Sequence, residues 1–161
     1  MTAGSVECHA PTLVLGLGNL LLEDDGAGLR LLEELRRDPR HGEEIEFVDG
    51  GSQGLALLGY FDGRARVLVL DAVQLGAPPG TVHVLGASDL RAAHAATAHE
   101  SGALELLELA RLLGQVPENV VVVGIEPEVM RTGIGLSEAV EAALPEALSL
   151  ARMALDRSFV H

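Results

Sequence analysis

The residues best suited to chemistry in this chain are acids that follow short apolar runs. Glu23-Asp24-Asp25 comes after the turn Gly16-Leu17-Gly18-Asn19, Asp49 after 45–48, Asp71 after 67–70, and Glu126 after 120–125. One of the histidines, His99, stands just before a leucine-rich segment. Carboxylates with an imidazole form the oxygen and nitrogen donor set that divalent transition metals prefer. Two close carboxylates sharing one proton would equally make an acid and a base. Taken singly, each has an ordinary explanation. Asp25 could complement a helix dipole, Asp71 could be a solvated strand end, and His99 could be a surface histidine. An acid after strand one, an acid after strand three and a returning histidine, taken jointly, raise the metal reading for Asp25, Asp71 and His99 above its parts. His9, His41, His83, His94 and His161 read as surface or packing residues.

The elements that must position these groups are legible from hydrophobic pattern. Strands are expected at 12–17, 45–48, 66–71, 81–85 and 120–125, each a short apolar run closed by glycine or an acid. Leucines 29, 31, 32 and 35, with charges on the opposite face, give a helix over 25–37. Helices are also expected at 101–113 and from Ser137 to about Asp156, with a short one capped by Ser52 and a loop over 86–98. Alternation of strand and helix predicts an α/β fold: three layers, α/β/α, around a mostly parallel, twisted, five-stranded sheet. The link between strands three and four is only about nine residues, too short for a parallel crossover, so strand four is expected to run antiparallel. The expected organisation is a loose leader over 1–10 and a single domain over 11–158. In such sheets, sites lie beyond the carboxyl ends of the strands, where the acids gather.

Composition narrows the function classes. The chain has 161 residues, 48% hydrophobic and 22% charged, which argues for one packed domain rather than disorder. Net charge is −13, all basic residues are arginine, and no basic stripe exists for nucleic acid or an anionic membrane surface. A lone cysteine, Cys8, excludes an internal disulfide and a cysteine-rich metal site. No apolar run reaches the length of a membrane span and no signal peptide is evident, so a cytoplasmic protein is expected. The Gly16-x-Gly18 turn has a dinucleotide-binding flavour, but the third glycine is missing and Asp24-Asp25 would repel a pyrophosphate. Periodicity brings no serine or cysteine nucleophile to a histidine, so no serine or cysteine protease is expected.

The segment Gly16-Leu17-Gly18-Asn19-Leu20-Leu21-Leu22-Glu23-Asp24-Asp25-Gly26-Ala27-Gly28 resembles the opening signature of the hydrogenase maturation proteases. Four further stretches resemble the family in order: Asp49-Gly50-Gly51-Ser52-Gln53-Gly54, with serine for threonine; Leu68-Val69-Leu70-Asp71-Ala72; His99-Glu100; and Val123-Gly124-Ile125-Glu126-Pro127-Glu128. The resemblance spans about 12–155 and implies an endopeptidase that trims the C-terminal tail from the large-subunit precursor of nickel–iron hydrogenases. It implies metal contact through Asp25, Asp71 and His99, and a substrate-recognition role for Asp49, Gly50 and Gly51 in the same cleft. The nickel is expected to arrive bound in the precursor, with zinc or cadmium able to replace it in the isolated protein. Cleavage would then follow nickel insertion, with the metal either polarising the scissile carbonyl and water or serving as a handle. A monomer is expected, leaving the cleft open to a large partner. Two other readings remain at this stage: a nucleotide- or metabolite-binding α/β module, and a nickel carrier without catalytic activity.

Overall fold

The structure is a computed structural model that describes residues 10–96 and 102–156. Beyond Ala10, the expected leader lies outside the described residues, as do His9, His99 and His161. The strands are β1 (Thr12–Leu17), β2 (Ile45–Gly51), β3 (Arg66–Ala72), β4 (Val82–Leu85) and β5 (Asn119–Ile125). The helices are α1 (Ala27–Arg36), α2 (Ala87–Ala96), α3 (Gly102–Leu112) and α4 (Glu138–Asp156), with 3-10 turns at Glu23–Gly26 and Gly54–Phe61.

The strands form one sheet in the order β2-β1-β3-β5-β4. The first four are parallel, and β4 runs antiparallel along β5 from Val82 opposite Ile125 to Leu85 opposite Val122. The short β3–β4 connection dictates that reversal. All six residues of β1 are buried, because helices cover both faces of this parallel sheet. Leu13, Leu15, Val67 and Val69 pack under α3, whereas Val14, Leu68 and Leu70 pack under α1 and α4. The expected three-layer α/β/α architecture is therefore present.

The chain leaves β1 for β2 on one side, then returns to place β3 on the other. That reversal opens a crevice at the carboxyl ends of β1 and β3, where ligands bind in open α/β sheets. Gly28 lets α1 close over this point. A Cβ there would sit 2.3 Å from the Leu70 carbonyl oxygen, 2.6 Å from that of Leu17 and 2.7 Å from the Asp71 Cα.

Three local expectations need correction. The stretch after β4 is helical, not a loop: α2 is rich in alanine, the best helix former. Its start is secured by the Asp89 carboxylate, which accepts the Gly86 N–H at 3.0 Å, one half of a capping box. Asp25 lies in a 3-10 turn ahead of α1, and no side chain caps that helix. Ser52 caps nothing either; the segment after it is a 3-10 helix preceded by Gln53.

Candidate active site

The 3-10 turn that follows β1 and the carboxyl end of β3 present Asp25 and Asp71 to one cleft of about 550 Å³. Asp71 is the penultimate residue of β3 and is only 2% exposed. Its Oδ1 accepts the Ala72 N–H at 2.8 Å and its Oδ2 accepts the Ala103 N–H at 2.9 Å. Ala103 lies in the first turn of α3, so a helix N-terminus faces the carboxylate and favours its charge. Burial nevertheless dominates, and with the charge of Asp25 it pushes the Asp71 carboxyl up to about 7, against the two N–H donors. Asp25 is half-buried, and its Oδ2 accepts the Asn19 N–H at 2.9 Å. Burial raises its pKa too, with the Asn19 N–H opposing.

This bond also bears on the nucleotide reading. The Gly18 N–H donates to the Gly51 carbonyl at 3.0 Å and the Asn19 N–H to Asp25. The amides that a pyrophosphate would use are already engaged. A Cβ on Gly18, whose φ is +129°, would lie 1.9 Å from the Asp25 carbonyl oxygen, so the glycine serves the approach of the chain to itself.

The remaining acids sort into other roles. Asp24, adjacent to Asp25, is fully buried and points away from the cleft. Its carboxylate accepts N–H groups of Glu128, Val129 and Ser137 and the Ser137 hydroxyl. Burial raises its pKa, but those four donors outweigh it and leave the group below the usual carboxylate range. Glu126, 3% exposed, accepts the Leu75 and Gly76 N–H groups and pairs with His83 Nε2 at 2.8 Å. It organises the β3–β4 connection and is not a free rim acid. Glu23 lines a separate groove behind the loop.

The Asp49-Gly50-Gly51 segment divides. Gly51 lines the cleft beside Ser52, Gly50 is buried against Leu15, Leu17 and Leu57, and Asp49 lines the separate groove. The Asp49 Oδ1 accepts the Gly51 N–H at 3.0 Å, which shapes the turn at the end of β2. His99 is outside the described residues, although Gly102, which follows it closely in the chain, lines the cleft. Among the described residues no three His, Cys, Asp or Glu side chains converge on a metal position. Two carboxylates that repel each other in a half-apolar cleft are nonetheless a donor set that a cation would relieve.

Leucine periodicity did not single out the cleft walls. They include Leu55, Leu106, Leu109, Met130 and Glu105. Glu105 could have been found as the acid in the first turn of a helix that begins at the site, whereas no pattern in the 126–135 segment marks Met130.

Comparison with known proteins adds the family. The hydrogenase maturation protease family model matches residues 29–153. The hydrogenase 2 maturation protease of Escherichia coli is 34% identical over 151 residues, 92% of either chain. A hydrogenase expression/formation protein, HoxM of Cupriavidus necator, is 34% identical over 140 residues, 84% of this chain and 69% of its own. The structure of the hydrogenase maturating endopeptidase HybD from E. coli superposes with a TM-score of 0.80 at 32% identity, covering 90% of this chain and 91% of that one. The nickel–iron hydrogenase maturation protease HybD from Thermococcus kodakarensis superposes with a TM-score of 0.70 at 27% identity, covering 88% and 97%. The chain belongs to the hydrogenase maturation proteases, endopeptidases that hydrolyse peptide bonds. No described helix is long and apolar enough to cross a membrane.

Proposed function

We propose that this endopeptidase removes the C-terminal extension of a nickel–iron hydrogenase large-subunit precursor after nickel has been inserted, working in the cytoplasm as a monomer. The observation that carries the reading is the convergence of Asp25 and Asp71, far apart in sequence, on one cleft where their charges interact. On this reading they reach, with His99, the nickel that the precursor brings. The metal is therefore part of the substrate, and zinc or cadmium would occupy the same donors in the isolated protein. Leu55, Leu106, Leu109 and Met130 wall the cleft and would exclude water around the docked tail. Gly51 and Ser52 would present backbone to it. Gripping the nickel places the adjacent peptide bond beside the carboxylates, and positioning of this kind can remove about 7–11 kcal/mol of barrier in ideal cases. Water supplies the nucleophile, and a carboxylate can take its proton.

The raised pKa of both carboxyls supports a second route in which no metal acts chemically. One protonated and one ionised aspartate would then serve as acid and base, with the nickel as a handle only. The test of the main reading is incubation with nickel-loaded and nickel-free precursor, following tail removal by mass. Cleavage of the loaded precursor alone is expected. Equal cleavage of both would overturn dependence on nickel, and an uncut loaded precursor would favour a carrier.

A further inference from the structure

We propose that Asp24 is a positioning residue of this active site: it clasps the segment between β5 and α4 to the loop that carries Asp25, and so sets two walls of the substrate cleft at once. The inference rests on the function proposed above.

The clasp is unusually complete for a carboxylate in a loop. Asp24 is fully buried. Its Oδ2 accepts the Glu128 and Val129 N–H groups at 2.9 Å each and the Ser137 hydroxyl at 2.8 Å, and its Oδ1 accepts the Ser137 N–H at 2.6 Å. Main chain reinforces it. The Asp24 N–H donates to the Val129 carbonyl at 2.9 Å, the Glu23 N–H to Gly133 at 3.1 Å, and the Gly133 N–H to Leu21 at 2.9 Å. Glu23 takes a left-handed φ of 47° between these bonds, a conformation that a non-glycine residue holds only when its surroundings impose it.

Capping α4 does not require all this. Ser137 already reaches the Val140 N–H with its hydroxyl. What the extra donors accomplish is to join two loops that meet at the cleft. Asp24 and Asp25 are neighbours in one 3-10 turn, so their side chains diverge: one locks inward and the other is left facing the cleft. The segment on the far side of the clasp carries Met130 into the same cleft. Loss of the clasp frees both walls, and a displacement near 1 Å at a reacting group is enough for about a 100-fold loss of rate.

Glu126 is the matched control. It is likewise buried and accepts two backbone N–H groups, with His83 in addition, against the three that Asp24 accepts, but it holds the β3–β4 connection and lines no part of the cleft. Asp24→Asn and Glu126→Gln should both lower thermal stability. Only Asp24→Asn should reduce kcat/KM on nickel-loaded precursor by about 100-fold and strip hydrogen-exchange protection from the Asn19 amide, which reports the place of Asp25. If Asp24→Asn does not fold, Ser137→Ala, which removes one of the donors, takes its place with a smaller loss of the same two signals. Retained Asn19 protection would overturn the proposal, as would rate losses that follow stability alike in both variants. Should the wild-type protein leave loaded precursor uncut, the function proposed above falls, and Asn19 protection still decides whether Asp24 places Asp25.

Discussion

Asp71 is held in conflict by its surroundings. Two N–H donors and a helix N-terminus favour its charge, while burial and the neighbouring charge of Asp25 oppose it, and the opposition prevails. Its folded pKa of about 7 lies above the ordinary carboxylate value of 3.8, so the folded state binds the proton more tightly than the unfolded chain. This group therefore lowers stability as pH rises from about 4 to about 7, and its contribution is flat above that. Asp25→Asn keeps the oxygen that accepts the Asn19 N–H and removes the charge. The expected result is a fall in the Asp71 midpoint, read by carboxyl NMR titration, with a shallower loss of stability across the same window. An unchanged midpoint would show that the two side chains do not share one electrostatic site. The sequence pointed to Asp25 and Asp71 because both follow central strands. The resemblance favoured Asp25 over Asp24, but strand spacing alone could not separate the two or expose Glu126 as a structural acid, because the direction a carboxylate turns is decided by partners such as Ser137 and His83 that lie far along the chain.

At the scale of elements, the site depends on how closely α1 closes over β1 and β3. Gly28 is the point of closure, facing two strand carbonyls and the Cα of Asp71 at distances no Cβ tolerates. Gly28→Ala should force α1 outward and destabilise the domain by about 3 kcal/mol, an overpacking loss against backbone that cannot yield. Thermal melting should show a drop on the order of 10 °C for a domain of this size. A melt within a degree or two of wild type would mean the helix has slack at this crossing. The strands were readable because sheets covered on both faces demand continuous apolar runs, and the reversal of β4 followed from the length of its connection. Helix α2 was not, since a run of alanines shows no amphipathic period, and only Asp89 behind Gly86 hints at its start.

The whole molecule combines a leucine-rich core with a net charge of −13 and, at one end of the sheet, a cleft whose described ionisable lining is entirely acidic. Ser52 stands in the pattern Gly50-Gly51-Ser52-Gln53-Gly54 and lines the cleft, but among the described residues no histidine lines the cleft with it to activate its hydroxyl. A protease built this way would cleave little unless the substrate supplied the missing positive charge, which makes the proposed dependence on loaded precursor a consequence of design. Much of this was legible from the order of five short motifs. The walls of the cleft were not, because Leu55, Glu105 and Met130 are brought together only by the fold.

The central claim is that the carboxylates of Asp25 and Asp71 and the imidazole of His99 grip one ion. Diffraction from crystals of the isolated protein soaked in cadmium, with zinc as a second probe, tests it most directly. We predict a single ion in the cleft, coordinated by the carboxylates of Asp25 and Asp71 and the imidazole of His99, and its loss in His99→Ala with the fold intact. An ion bound elsewhere, or density in the cleft that touches neither aspartate, would contradict the account.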